Sequence, residues 1–177
     1  MRVLSPKFLI PALVLAAASL TPAVRAQVGS GLPQAIVAAP NIGATEQQAI
    51  DDHLTKWMPK LGSKEADEVK KAREALVSPV LEQNVSVPFR LAYSTSLIGA
   101  KLADLCKSDN DTVAINALRL AGEVAESQTV ALVKDGFADK RSSVRYGAVF
   151  ASLRTFEQVM PATRAVAIPA NTLEQLV

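Results

Sequence analysis

One cysteine and one histidine in 177 residues leave little from which to build a reactive centre. A structural zinc takes four nitrogen or sulfur ligands, which His53 and Cys106 cannot supply. Neither a Ser-His-Asp nor a Cys-His constellation assembles around His53, which stands beside Asp52 and three residues before Lys56 and reads as a surface histidine. A lone cysteine also permits no intrachain disulfide, so stability has to come from packing. Cys106 ends an apolar helical pattern and reads as a small buried hydrophobe. No phosphate-cradling glycine motif occurs, and Gly29-Ser30-Gly31 follows no strand. Asp109-Asn110-Asp111 opens like a calcium loop, but the sixth position lacks Gly and the twelfth is Leu120, so it reads as a helix cap. The carboxylate pairs Asp51-Asp52 and Glu65 with Asp67 lie on polar helix faces, where solvation leaves them ordinary acids. No catalytic residue, metal or cofactor is expected.

A surplus of basic charge is missing as well, once the N-terminus is set aside. Arg2 and Lys7 precede an apolar run from Phe8 to Leu20, then Pro22 and the small-residue site Val24-Arg25-Ala26, the pattern of a secretory signal peptide over residues 1–26. The run of 13 residues is short for a bilayer core that takes roughly 20, so cleavage after Ala26 is expected rather than a retained membrane span. Removing Arg2, Lys7 and Arg25 leaves 16 basic residues against 17 acidic ones, a net charge of −1 in the exported form. The electrostatic footprint of a nucleic-acid binder or an anionic-membrane binder is therefore absent. Aromatic residues make up only 5% of the chain, and Trp57, Tyr93, Tyr146 and the phenylalanines fall at helical core spacings rather than among basic neighbours that could stack bases.

What the chain does contain is helical periodicity. Residues 27–44, with Gly29, Gly31, Pro33, Pro40 and Gly43, hold no period and read as a flexible arm. Thr45 with Gln48 resembles a capping box, and Ile50, Leu54, Trp57 and Met58 then mark a helix over 46–58. Ser63 caps a second helix with Ala66, Val69, Ala72, Leu76 and Val77 on one face, ending at Ser78-Pro79. A third helix over 88–106 carries a broad apolar surface, in which Gly99 and Ala100 offer a neighbour close approach. A fourth starts at an aspartate cap, Asp109 or Asp111, and runs to about 125. Ser127 caps a fifth over 128–137, and a sixth over 142–158 uses Val144, Ala148, Val149, Leu153 and Phe156. Residues 161–177 read as a linker and the start of a truncated helix, with Asn171 and Glu174 in capping-box spacing.

Two of these helices repeat each other. Val113, Ile115, Ala117, Leu118 and Leu120 match Val144, Tyr146, Ala148, Val149 and Ala151 at an offset of 31 residues. Val144-Arg145, Ala148 and Ser152-Leu153 resemble the first helix of the HEAT-repeat family. Asp111, Val113, Ala117 and Ala121 resemble a second copy, with Ala114 where the family often has Arg. Phe89-Arg90, Tyr93 and Leu97 share the spacing but begin 24 residues earlier, out of register. The resemblance implies an all-α fold, a short right-handed α-solenoid of antiparallel hairpins spanning residues 45–160, with a compact multi-helix bundle as the alternative. It also implies that Asp111, Asp139 and Arg145 form a structural ladder between repeats.

The function expected from these features is that of an exported, non-catalytic protein, periplasmic or extracellular. It would act as a protein–protein interaction scaffold through the second helices of its hairpins, above all 127–138 with Gln128, Lys134 and Asp135 at the surface. The alternatives are a structural bundle or homo-oligomer subunit packing through its apolar C-terminal turn, and a noncatalytic module of a larger enzyme or sensor. No nucleic-acid partner and no membrane insertion after signal cleavage are expected.

Overall fold

The structure, a computed structural model, describes residues 31–160 and 168–177, and every regular element among them is helical. The expected signal segment 1–26 and the first part of the linker that begins at residue 161 lie outside the described residues. The elements are α1 (Gln34–Val37), α2 (Ala44–Trp57) with a 3-10 turn over Met58–Gly62, α3 (Ala66–Leu81), α4 (Val87–Gly99) and α5 (Leu102–Cys106). They continue with α6 (Asp111–Val124), α7 (Ser127–Phe137), α8 (Ser142–Val159) and α9 (Ala170–Leu173), followed by a second 3-10 turn over Glu174–Leu176. Among the described residues no helix is long and apolar enough to cross a membrane.

The caps differ in detail from the expected ones. Asn110, not a neighbouring aspartate, caps α6, its Oδ1 accepting from the N–H groups of Thr112 and Val113. Glu126 precedes α7 and Ser127 is already helical; the Glu126 N–H donates to Thr129 Oγ1 at 3.0 Å. At α2 the chain turns at Gly43, whose N–H donates to Glu46 Oε2, so Thr45 lies inside the helix. Residues 31–44 are no loose arm. Leu32 and Val37 are buried in the core, and Ser86 fastens the segment by donating its N–H to Val37 O at 3.0 Å and its hydroxyl to Ala39 O at 2.5 Å.

Two expected helix ends move for stated physical reasons. The single helix over 88–106 is broken at Lys101, which adopts a left-handed conformation with φ 73°, so α4 and α5 are separate and nothing approaches Gly99 closely. Conversely, α3 runs through Pro79 to Leu81. A proline in a helix leaves the carbonyl four residues earlier without its usual partner, and here that carbonyl belongs to Ala75. It is satisfied from outside the helix: His53 Nε2–H donates to Ala75 O at 3.1 Å, and Ser78 Oγ donates to it at 3.3 Å. His53 is accordingly buried, 8% exposed, rather than at the surface, with its ring 6.2 Å from that of Tyr93. Tyr93 in turn donates its hydroxyl to Leu76 O at 2.7 Å and stacks on Phe89.

α3, α6 and α8 lie side by side and run in one direction. Arg73 of α3 donates to Asn116 of α6, and farther along Val80 and Val124 share Arg90 as a donor. Asp111 of α6 meets Ser143 of α8, and Gly122 meets Ala151 and Thr155. α7 packs on both α6 and α8, while α4 packs on α2 and α7. The buried residues Leu76, Val80, Leu118, Leu120, Val133, Val144 and Ala148 belong to one continuous core.

The α6–α8 contact is a backbone approach. A Cβ at Gly122 would lie 2.2 Å from Ala151 O, so no larger residue fits there without moving a helix. Thr155 stitches the same spot, its hydroxyl lying within 3.3 Å of Gly122 O and 3.2 Å of Ala151 O. The ends of α6 are tied by two arginines. Arg90, 5% exposed, donates Nε to Glu126 Oε1 at 2.9 Å, Nη1 to Val80 O at 3.1 Å and Nη2 to Val124 O at 2.7 Å. It thereby satisfies free carbonyls at the C-termini of α3 and α6, where the helix dipoles favour a cation. At the other end Arg141 donates to Asp139, to Asp111 Oδ1 at 3.2 Å and to Ser108 O at 2.7 Å. The expected ladder of Asp111 and Asp139 thus uses Arg141; Arg145 donates instead to the carbonyls of Asp139 and Lys140.

Three outcomes follow for stability. His53→Ala is expected to cost about 1–3 kcal/mol by leaving the buried Ala75 carbonyl to the longer Ser78 bond alone; with Pro79→Ala, whose new N–H can reach Ala75 O, a urea-denaturation cycle should show coupling of about 0.5–3 kcal/mol. Burial holds the His53 imidazole below its ordinary pKa, the bond to Ala75 O partly opposing and the Lys56 charge adding to the depression. The folded chain therefore binds this proton less tightly than the unfolded chain. The His53 contribution is complete above the unfolded histidine pKa of about 6.5 and is lost as pH falls below it, so the native protein should lose more stability between about pH 7.5 and 5.5 than His53→Gln does. Lys101→Gly should raise stability by about 0.5–1 kcal/mol, the left-handed strain removed exceeding the extra chain entropy of glycine, as read from the denaturation midpoint.

Candidate functional site

The residue match between α6 and α8 at an offset of 31 makes the exposed residues of α8 informative. Val113, Ala117 and Leu120 are buried in α6, and their counterparts Val144, Ala148 and Ala151 are buried in α8. The other two pairs part company. Leu118 is fully buried, whereas Val149 is 54% exposed; Ile115 packs against α8 at Gly147, whereas Tyr146 is 73% exposed. Leu153, one turn on, is 51% exposed. The face that α6 presents to α8 is thus also made on α8, and there no helix among the described residues covers it.

Tyr146, Val149, Phe150, Ser152, Leu153 and Phe156 line a shallow open depression along this face. Its margins are charged and ordered. The Phe150 ring is approached by two guanidinium groups, Arg119 at 5.3 Å and Arg154 at 5.2 Å from its centroid, a cation–π arrangement. Arg154 also pairs with Glu157 and Arg119 with Glu123. Exposed Met160 continues the stripe past the helix end. Tyr146, Val149 and Leu153 were all read from periodicity as core positions. The misreading has one cause, because a helical period identifies an apolar face but does not say how many faces are covered. The signal that could have found them was the mismatch within the repeat itself, Ile115 opposite Tyr146.

The surface expected to bind, residues 127–138, is partly occupied. The C-terminal turn docks on α7, with Leu176 buried in the core and Lys134 Nζ donating to Gln175 Oε1 at 3.1 Å. Leu176 of the apolar C-terminal turn therefore packs on its own chain, while Val177 is exposed. Gln128 and Asp135 remain exposed on α7.

Groups with chemical potential are dispersed. Burial pushes the Cys106 thiol up to about 12, far from the thiolate that nucleophilic attack requires. Burial also raises Glu126 above the ordinary carboxylate range, against the pull of Arg90, while the Arg141 guanidinium holds half-buried Asp139 down at about 2. Among the described residues no group of three or more His, Cys, Asp or Glu is placed to hold a metal ion.

The α8 stripe and the α6–α8 seam should respond oppositely to substitution. Tyr146→Ser and Val149→Ser are expected to change folding stability by no more than about 0.5 kcal/mol, as surface changes do. Gly122→Ala is expected to cost about 1–3 kcal/mol or more through overpacking against Ala151. Chemical denaturation of the three variants checks both. No family model, no curated protein and no solved structure matches the chain, so the α8 face has to be understood from its own residues.

Proposed function

We propose that this chain is an exported, non-catalytic scaffold, a short right-handed HEAT-like α-solenoid that binds protein through the open face of α8. The supporting observation is the stripe of Tyr146, Val149 and Leu153, exposed at the positions where the preceding helix of the same pattern is covered by its neighbour. One hairpin of a repeat array cannot bury its own apolar face, so a helix face that no neighbour covers is either polar or meets a partner. On α8 that face carries aromatic and aliphatic side chains. Isolated exposed apolar residues are unremarkable on any protein, but a contiguous stripe rimmed by charge marks an interaction surface.

The parallel course of α3, α6 and α8, with α7 packed against α6 and α8, favours stacked hairpins over an up-and-down bundle, in which sequential helices alternate in direction around one axis. The same reading moves the binding surface from α7, where the C-terminal turn already docks, to α8. A scaffold of this kind needs no reactive group, which agrees with the burial of Cys106 and the structural engagement of His53.

Chemical crosslinking of the tagged full chain in its host, followed by capture from the exported fraction, tests the proposal. The unmodified bait should retain a reproducible protein that Val149→Glu releases and Lys134→Glu does not. Capture unaffected by Val149→Glu would place binding elsewhere and overturn the assignment of the face. An exported product whose mass includes residues 1–26 would overturn cleavage after Ala26.

A further inference from the structure

The geometry of the α8 stripe points to a specific occupant: we infer that it pairs with the same stripe of a second copy of this chain, the two α8 helices running antiparallel about a two-fold axis. This rests on reading the α8 face as a protein-binding surface. The spacing of the stripe carries the argument. Tyr146, Val149, Leu153 and Phe156 follow one another at intervals of three, four and three residues, a sequence of steps that is the same read in either direction. A stripe of that kind superposes on itself when one helix is turned end for end, as an isologous interface requires. With the axis level with residue 151, Val149 of each copy meets Leu153 of the other at the centre.

The flanking chemistry is self-complementary in the same arrangement. Residues advance by about 100° around a helix, which sets Tyr146 and Glu157 on one margin of the stripe and Arg145 and Phe156 on the other. In an antiparallel pair each margin faces the same margin of the partner. Tyr146 of one copy then stands opposite Glu157 of the other, a phenol donor to a carboxylate acceptor. On the far side, Arg145 stands opposite Phe156, a guanidinium over an aromatic ring. Each contact occurs twice. No like charges are brought together at the centre, and no charged side chain has to be desolvated there. Arg145, Val149 and Leu153 are exposed in the single chain, and Glu157 is exposed beside Arg154, so the pairing asks for no rearrangement of the helix.

The outward face of α3 offers no alternative partner for the stripe. The outward residues of α3 are Asp67, Lys70, Lys71 and Glu74, of which Lys70 and Glu74 pair with each other, so a head-to-tail stack of α8 on α3 would bury charges against Val149 and Leu153. The closed two-fold pairing avoids that cost and leaves no free apolar end from which a fibre could grow.

Sedimentation equilibrium of the purified exported chain, residues 27–177, tests the pairing. A species of twice the monomer mass is expected, dissociating at a concentration on the order of micromolar. Val149→Glu should weaken it at least about 100-fold while circular dichroism stays helical, and Tyr146→Phe should weaken it a few-fold. Orientation is read by disulfide trapping: a mixture of Val149→Cys with Leu153→Cys should crosslink faster than either variant alone, because the antiparallel axis sets 149 against 153. A chain that stays monomeric at about 100 µM overturns the inference, yet leaves standing the capture of another protein by the same face. A dimer indifferent to Val149→Glu, or Val149→Cys crosslinking fastest to itself, also overturns it.

Discussion

Arg90 is the group on which the arrangement of the other helices depends. Its guanidinium is planar and carries fixed donors, and three of them are spent on three different elements: the last turn of α3, the last turn of α6 and the residue that starts α7. Burying a guanidinium is costly unless every donor and the charge itself are answered, and the answer here comes from Glu126 together with two carbonyls that the helices leave free. The consequence is positional. α4, which carries Arg90, fixes the end of α6, and α6 then fixes α8 through the Gly122–Ala151 approach. The exposed stripe on α8 is held rigidly at the end of this chain of contacts.

The core of α6 was legible in the sequence, as was half of α8, because Val113, Ala117 and Leu120 and their partners obey a helical period that only one face of each helix has to satisfy. The burial of Cys106 was legible for the same reason. The role of His53 was not. Its neighbours Asp52 and Lys56 are polar, and nothing local reveals that a proline 26 residues later frees a carbonyl for it to reach. The two misread features, a surface histidine and a helix-ending proline, are one feature: where α3 continues past Pro79, His53 and Ser78 take the place of the missing backbone donor. Long-range compensation of this kind has no sequence period.

The arm over residues 31–44 was misread for a related reason. Glycine and proline forbid a long helix, but they do not forbid burial, and Leu32 and Val37 reach the core from a segment whose only regular element is one turn. Ser86 provides the fastening by serving two ends at once: it caps α4 with its side chain, accepting from Phe89 N–H, and takes Val37 O with its own N–H. Similarly, the ladder expected at Asp111 and Asp139 is present with a different arginine, since Arg141 sits where the chain enters α8 and Arg145 lies a turn too far along.

The two fastenings of α6 differ in their exposure, and ionic strength acts on them unequally. The Arg90–Glu126 pair is sealed in the interior, where dissolved ions do not penetrate, while the Arg141, Asp111 and Asp139 group faces solvent. Raising salt therefore slackens the junction between α6 and α8 at its N-terminal end and leaves the junction between α3 and α6 unchanged. The helix that carries the exposed stripe is the one whose anchorage the surrounding electrolyte can tune.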